Sequence, residues 1–247
     1  MGLHETEALV LKSYALAEAD KIVVFLTRTH GIVRGVAKGA KRLTSRFGGS
    51  LEPFSVVRIE FFQSGDRELV TVKACEIVES LFDYASDPTV LGRFSYFSEI
   101  LTSFTPPFDP DDRLFRMTRL CIETAAANPT AADRIVTYFE LWVLRLGGYL
   151  PTWDSCSICG RTLDSSEDAA LRADFRLSCG KCERVRQQSH LPAGIREILA
   201  TALKYPPKGF IEMTEDREGE SAALSGILKR IIGTILGKEN FAAGSQK

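Results

Sequence analysis

Apolar residues recur along this chain with two different periods. Up to about residue 80 they fall at every second position, the mark of strands with one face buried; beyond it they return at three- and four-residue steps, the mark of helices. Residues 6–13 and 21–29 are β-rich, the latter through Ile22-Val23-Val24-Phe25-Leu26. Thr29-His30-Gly31 predicts a turn with Gly31 at positive φ, and a return strand over 32–37 follows. Gly48-Gly49 and Pro53 punctuate a connection. Val57, Ile59 and Phe61 then alternate with Arg58 and Glu60, Ser64-Gly65-Asp66 turns the chain, and a strand over 68–78 places Val70, Val72 and Ala74 on one face. Five strands in about eighty residues predict a small closed barrel, which removes exposed sheet edges. The OB-fold is the commonest such barrel, and the pattern equally admits an SH3-like one.

The helical half opens at Asp87-Pro88, an N-cap followed by proline at the first helical position. Val90, Leu91, Phe94, Phe97, Ile100, Leu101 and Phe104 form its stripe, and Pro106-Pro107 blocks continuation. Asp111 or a neighbour caps a second helix with Leu114, Met117 and Cys121, ending before Asn128-Pro129. A third, from near Thr130, carries Ile135, Val136, Phe139, Trp142, Val143 and Leu146 and stops at Gly147-Gly148. After an irregular stretch from Pro151 to about Gln188, a short helix carries Ile195, Ile198, Leu199 and Ala202. A longer one runs from about Ser221 to Leu236 with Gly237 as C-cap. The expected organisation is α+β: an OB-fold barrel over 1–80, a helical domain over 81–150 read as a three-helix bundle, a cysteine insertion over 151–188, and C-terminal helices over 189–247 packing back on that domain. The tail after Phe241 is expected to fray.

The irregular stretch holds the most specific chemistry in the sequence. Cys156-Ser157-Ile158-Cys159 is followed after nineteen residues by Cys179-Gly180-Lys181-Cys182. Two Cys-x-x-Cys knuckles at this spacing suit a structural zinc ion, because each tight turn aims two thiolates at one point. Gly160 and Gly180 suit those turns. The stretch between has few large apolar groups, so a metal would supply folding free energy. Four thiolates leave no open coordination position, which argues for structure over catalysis. A zinc deaminase would need His-x-Glu with Pro-Cys-x-x-Cys, which is absent. A redox dithiol is the alternative chemistry, although no βαβ pattern surrounds either pair. Cys75 and Cys121, alone among apolar neighbours, read as core.

Net charge is −1, from 31 basic and 32 acidic side chains, yet the balance is uneven. From Lys21 to Leu51 there are seven basic residues and no acidic one: Lys21, Arg28, Arg34, Lys38, Lys41, Arg42 and Arg46. Local charge governs phosphate binding, so this run is the candidate DNA-binding segment, with a solvated basic face as the bland alternative. An OB barrel binds single strands on the face holding its second and third strands. Gly35 and Gly39 would let a backbone approach, and Tyr14, His30 and Phe47 are candidate stacking partners, whereas Phe54, Phe61 and Phe62 read as core. Arg176, Lys181, Arg184 and Arg186, near the knuckles, are further possible phosphate contacts. No residue set suggests base-edge readout, so binding should be sequence-independent and salt-sensitive.

No Walker A, Rossmann glycine fingerprint or Gly-x-Ser-x-Gly occurs, and His4, His30 and His190 lie in separate segments, so a non-enzyme is expected. No apolar run approaches the ~20 residues that span a bilayer, and residues 1–5 show no secretory pattern. A cytoplasmic protein without a membrane partner is expected.

Several segments in order resemble the RecO family of bacterial recombination mediators. They are Thr6-Glu7-Ala8-Leu9-Val10-Leu11, Glu18-Ala19-Asp20-Lys21, Gly31-Ile32-Val33-Arg34, Ala37-Lys38-Gly39-Ala40-Lys41-Arg42, Leu51-Glu52-Pro53-Phe54, Phe139-Glu140-Leu141 and Leu146-Gly147-Gly148-Tyr149-Leu150-Pro151. The resemblance covers most of residues 5–190. It implies an N-terminal OB-fold, a helical domain and a four-cysteine zinc module. It also implies binding of single- and double-stranded DNA, strand annealing, partnership with RecR and single-stranded-DNA-binding protein, aid in loading RecA, and association with the nucleoid. The DNA-binding role carries to Lys38, Lys41 and Arg42, which match the family's basic segment, and by extension to Arg34 and Arg46. The C-terminus departs: Gly237-Lys238-Glu239-Asn240-Phe241 stands where members often carry a basic Lys-Ser-Arg end. The alternative class is a zinc-ribbon transcription or RNA-binding factor.

Overall fold

The computed structural model describes residues 2–65, 68–80, 88–182 and 189–237. Asp66, Asp87, Arg184, Arg186 and the tail from residue 238, all named above, lie outside the described residues. The chain divides into two compact units, Met1–Ala132 and Asp133–Lys247.

The first unit is built on five strands: β1 (Gly2–Leu16), β2 (Asp20–Thr27), β3 (Gly31–Ala37), β4 (Val56–Gln63) and β5 (Leu69–Glu79). They close in the order β1-β2-β3-β5-β4, antiparallel except for a short parallel pairing of Arg34–Val36 with Leu69–Thr71. This is an OB-type barrel, so the choice left open by the alternation falls to that fold. Its core collects Val10, Val23, Phe25, Val33, Val57, Ile59, Phe61, Val70 and Val72. The alternation expected of β5 slips by one residue after Val72. The ladder passes from Phe61 opposite Val72 to Glu60 opposite Ala74, leaving Lys73 as the extra residue of a bulge. Cys75 thereby enters the core, where burial pushes its thiol up to about 11, and Ala74 is only half-buried.

Two glycines are demanded by close approach. At Gly31, φ is 64° and an added Cβ would lie 2.3 Å from the Asp109 carbonyl oxygen. The segment after the first helix runs past this turn, with Phe108 N–H donating to Ile32 O at 3.2 Å. At Gly35 an added Cβ would meet Val72 Cγ2 at 2.6 Å. Gly35 is therefore a packing glycine of the barrel interior and does not offer its backbone to a ligand.

Helix α1 (Pro88–Phe104) lies against the barrel, where Ser98 Oγ donates to Leu11 O at 3.1 Å and the Phe94 ring sits 4.9 Å from that of Phe54. Helix α2 (Asp112–Ala127) has the expected N-cap: Asp111 accepts from Arg113 N at 2.8 Å and Leu114 N at 3.2 Å. A single 3-10 turn, Pro129–Ala131, leads into α3 (Ala132–Leu146). The division into units falls at the start of α3, inside the stretch expected to form one helical domain. The physical reason lies in the apolar stripe of α1, which is used on the barrel.

In the second unit α3 packs with α4 (Ala193–Lys204), α5 (Pro207–Met213) and α6 (Glu218–Leu236). Trp142 Nε1 donates to Ala202 O, Arg134 to Ile211 O, and Ser225 Oγ to the fully buried Glu140 carboxylate at 2.7 Å. Helix α5 was not foreseen; its seven residues are too few to show a period. The cysteine stretch carries a small sheet of β6 (Ala169–Leu171), β7 (Leu177–Ser178) and β8 (Ser189–Leu191), in the order β7-β6-β8. Gly237 ends α6 at φ 63°, the left-handed cap its position implied.

Gly31→Val should lower the unfolding free energy by about 2–4 kcal/mol through backbone strain and overpacking. Gly49→Ala, which meets open space, should change it by less than about 0.5 kcal/mol. Urea denaturation of the two variants checks the contrast.

Candidate metal centre and basic surface

The four knuckle cysteines converge. Their Sγ atoms all lie within 4.8 Å of one another, with Cys159 and Cys179 at 4.0 Å. A tetrahedral ion at ~2.3 Å from each sulfur places its ligands about 3.8 Å apart, so the cluster fits such an ion. Each knuckle is closed by its own backbone. Gly160 N–H donates to Cys156 O at 2.8 Å, with Gly160 at φ 74°, and Cys182 N–H donates to Cys179 O at 2.9 Å. The two knuckles are tied together by Ser157 N–H on Leu177 O at 2.8 Å. Cys156 and Cys179 are buried, Cys182 is half-buried and Cys159 is exposed.

Two arginines unremarked in the sequence support this centre. The Arg161 guanidinium holds the Cys179 thiol down at about 6, which favours the thiolate a metal requires. Glu167 fixes Arg161 through paired bonds of 2.9 and 2.5 Å. Arg196 of α4 is buried and donates to four carbonyl oxygens of the module: Trp153 at 3.2 Å, Leu163 at 3.2 Å, Asp164 at 2.8 Å and Glu167 at 2.9 Å. It fastens the cysteine module to the helices. A buried cation on an apolar helix stripe was the available signal.

The barrel divides its cations into two groups. Arg28, beside the β2–β3 turn, donates to Asp112 of α2 at 2.7 Å and pairs with Glu7 of β1 at 3.4 Å. Arg119 of α2 continues the network to Glu7 at 2.5 Å, Glu79 at 2.9 Å and Glu123 at 2.6 Å. These carboxylates hold both guanidinium pKa values above their usual range. Arg28 thus joins helix to barrel, through a partner 84 residues away that a scan for local acidity misses. Lys21 likewise pairs with Glu52 at 3.3 Å.

Arg34, Lys38, Lys41, Arg42 and Arg46 are all exposed, and among the described residues no carboxylate lies within ion-pair distance of any of them. The last four occupy the long β3–β4 loop, whose base is rigid. Gly39 N–H donates to Asp20 Oδ1 at 2.8 Å and Lys41 N–H to Ala19 O at 2.9 Å. Phe47 and Leu51 are buried in the barrel core. Phe47 is therefore an anchor, and its candidacy as a stacking partner is corrected; the Arg46 guanidinium lies 4.9 Å from its ring centroid. Arg34 faces a groove of about 520 Å³ on the barrel's outer surface, lined also by Lys12, Tyr14, Ile22, Val24, Glu68, Leu69 and Thr102. Tyr14 is half exposed there and free to stack. His30 is packed edge-on to His4 and Phe61, with ring centroids 4.8 and 5.3 Å away, and does not face this groove.

A closed OB-type barrel with an exposed cationic loop, followed by helices bearing a four-thiol cluster, defines an α+β chain. Comparison with known proteins narrows the class. Residues 1–81 match the family described as recombination protein O N terminal, and residues 85–205 match recombination protein O C terminal. The chain is 35% identical over 162 residues to the DNA repair protein RecO of Koribacter versatilis, covering 66% of each chain. It is 34% identical to that of Geobacter metallireducens over 72% of each, and 28% identical to that of Syntrophus aciditrophicus over 96% of this chain and 92% of the other. The chain belongs to the recombination protein O family.

Arg196→Ala would leave four carbonyls without their shared donor and should cost about 2–4 kcal/mol. Limited proteolysis should then cut the cysteine module before the barrel.

Proposed function

We propose that this chain is a DNA-binding recombination mediator of DNA repair that leaves the covalent structure of DNA unchanged. The observation that carries the reading is the set of exposed cations on the β3–β4 loop that have no carboxylate at ion-pair distance among the described residues. Lys38, Lys41, Arg42 and Arg46 grip phosphates as point charges and forks, Arg34 and Lys12 line the groove, and Tyr14 stacks a base. Arg28, engaged with Asp112 and Glu7, contributes little to phosphate contact. These contacts address backbone and base faces, so single- and double-stranded DNA are both ligands and sequence is not read.

The relatives' role in repair and the family membership extend the reading. The protein anneals complementary strands and, with RecR, helps place RecA on DNA covered by single-stranded-DNA-binding protein. Neutralising two strands along one cationic surface lowers their mutual repulsion, which is the physical basis of annealing. In this reading the four-cysteine centre holds zinc, whose role is structural because four thiolates occupy every coordination position. A DNA partner places the protein at the nucleoid.

Reversing Lys38, Lys41 and Arg42 to Glu together should abolish most binding to DNA oligomers at low salt and block annealing, whereas Arg28→Ala should lower affinity by less than about threefold. Fluorescence anisotropy against a salt series separates the two variants; equal losses would refute the assignment. Metal analysis of the purified chain should return one zinc per chain. Cys179→Ser should lower the thermal midpoint and solubility while changing DNA affinity far less, and a metal-free variant of normal stability would rule out the structural role.

A further inference from the structure

Residues 42–45 form a tight turn, with Ser45 N–H donating to Arg42 O at 2.9 Å, so Leu43 and Thr44 occupy its two corners. Leu43 is 107% exposed, while Leu3 at 64% comes next among the large apolar side chains described as exposed. This exposure is not a loop left without a core to fold on. Ala40, three residues before, packs against the barrel core, and Phe47, four residues after, is buried in it. The chain dips inward on both sides, and of the exposed residues 41–44 between them Leu43 is the one large apolar side chain. The hydrogen bonds at Gly39 and Lys41 hold the backbone leading into this turn, which lowers the ordering cost of binding there.

The surroundings of Leu43 select its occupant. Lys38, Lys41, Arg42 and Arg46 surround it in sequence, are exposed, and have no carboxylate at ion-pair distance among the described residues. A protein partner would need an acidic rim around an apolar pocket. A nucleic acid supplies negative charge and flat apolar faces at the spacing of its own backbone. Leucine is one of the side chains that proteins insert between base steps, where it partly unstacks them.

We propose that Leu43 is an apolar wedge that contacts nucleobases while the flanking cations hold the phosphates on either side. The inference deepens the DNA-binding reading and rests on it. The cations bring the strand to the loop, and Leu43 then separates adjacent bases at a frayed end or single-strand junction. Bases held apart in this way are exposed for pairing with an incoming strand.

The test uses the full chain and a single-stranded DNA oligomer carrying 2-aminopurine, whose fluorescence rises when it is unstacked. The wild-type protein should raise that fluorescence, and Leu43→Ser should abolish the rise and weaken binding about tenfold, the worth of a partly buried leucine. The slope of log affinity against log salt should stay unchanged, because no phosphate contact is lost. Leu43→Phe should restore the signal. An unchanged fluorescence rise in Leu43→Ser, with affinity equal to wild type, would overturn the wedge while leaving DNA binding intact. A Leu43→Ser variant that binds DNA normally but loses self-association in sedimentation would also overturn it, assigning the leucine to a second copy. If the wild type shows no salt-dependent binding at all, the underlying DNA reading fails and the wedge with it.

Discussion

Closing five strands into a barrel leaves no room for a side chain at residue 35. Any Cβ there would lie 2.6 Å from Val72, and the short parallel pairing of β3 with β5 at Arg34–Val36 is what completes the ring. The rest of the N-terminal unit follows from that closure. Because the ring is closed, the connection from β3 to β4 must pass across its end, and Phe47 and Leu51 plug the core as it passes. The stretch between those anchors and β3 is tied to the β1–β2 turn at Gly39 and Lys41, so the backbone that carries its charges is held. A flexible loop of the same composition would lose much of its binding free energy to ordering.

Charge distribution, more than charge count, then separates structure from function. The barrel's basic run splits according to whether a carboxylate can reach it. Arg28 and Lys21 meet Asp112, Glu7 and Glu52 and help hold the unit together. The loop residues meet none among the described residues and remain available to an external polyanion. The cysteine module follows a similar logic in the second unit. Its few large apolar groups, Trp153, Leu163, Leu171 and Leu177, are buried, and convergent thiols, Arg161 and the Arg196 clamp add to its order.

Much of this was legible in the residues. The alternation of Val57, Ile59 and Phe61, the Gly31 turn, the Asp111 cap and the two knuckles each express a local rule, and local rules can be read from one sequence. The features that escaped are those decided at long range. The β5 bulge depends on its pairing with β4. The pairing of Arg28 depends on α2, the core position of Phe47 depends on barrel closure, and the role of Arg196 depends on how the module folds beneath α4. The charge run announced a basic surface without revealing which of its members were already engaged.

The central claim is that five cations, Arg34, Lys38, Lys41, Arg42 and Arg46, meet phosphates with no carboxylate of the described residues at ion-pair distance. Its most direct test counts them. The slope of log affinity against log salt on single-stranded DNA should be near −3.5, at about 0.7 per neutralised phosphate. A slope near zero would contradict the account.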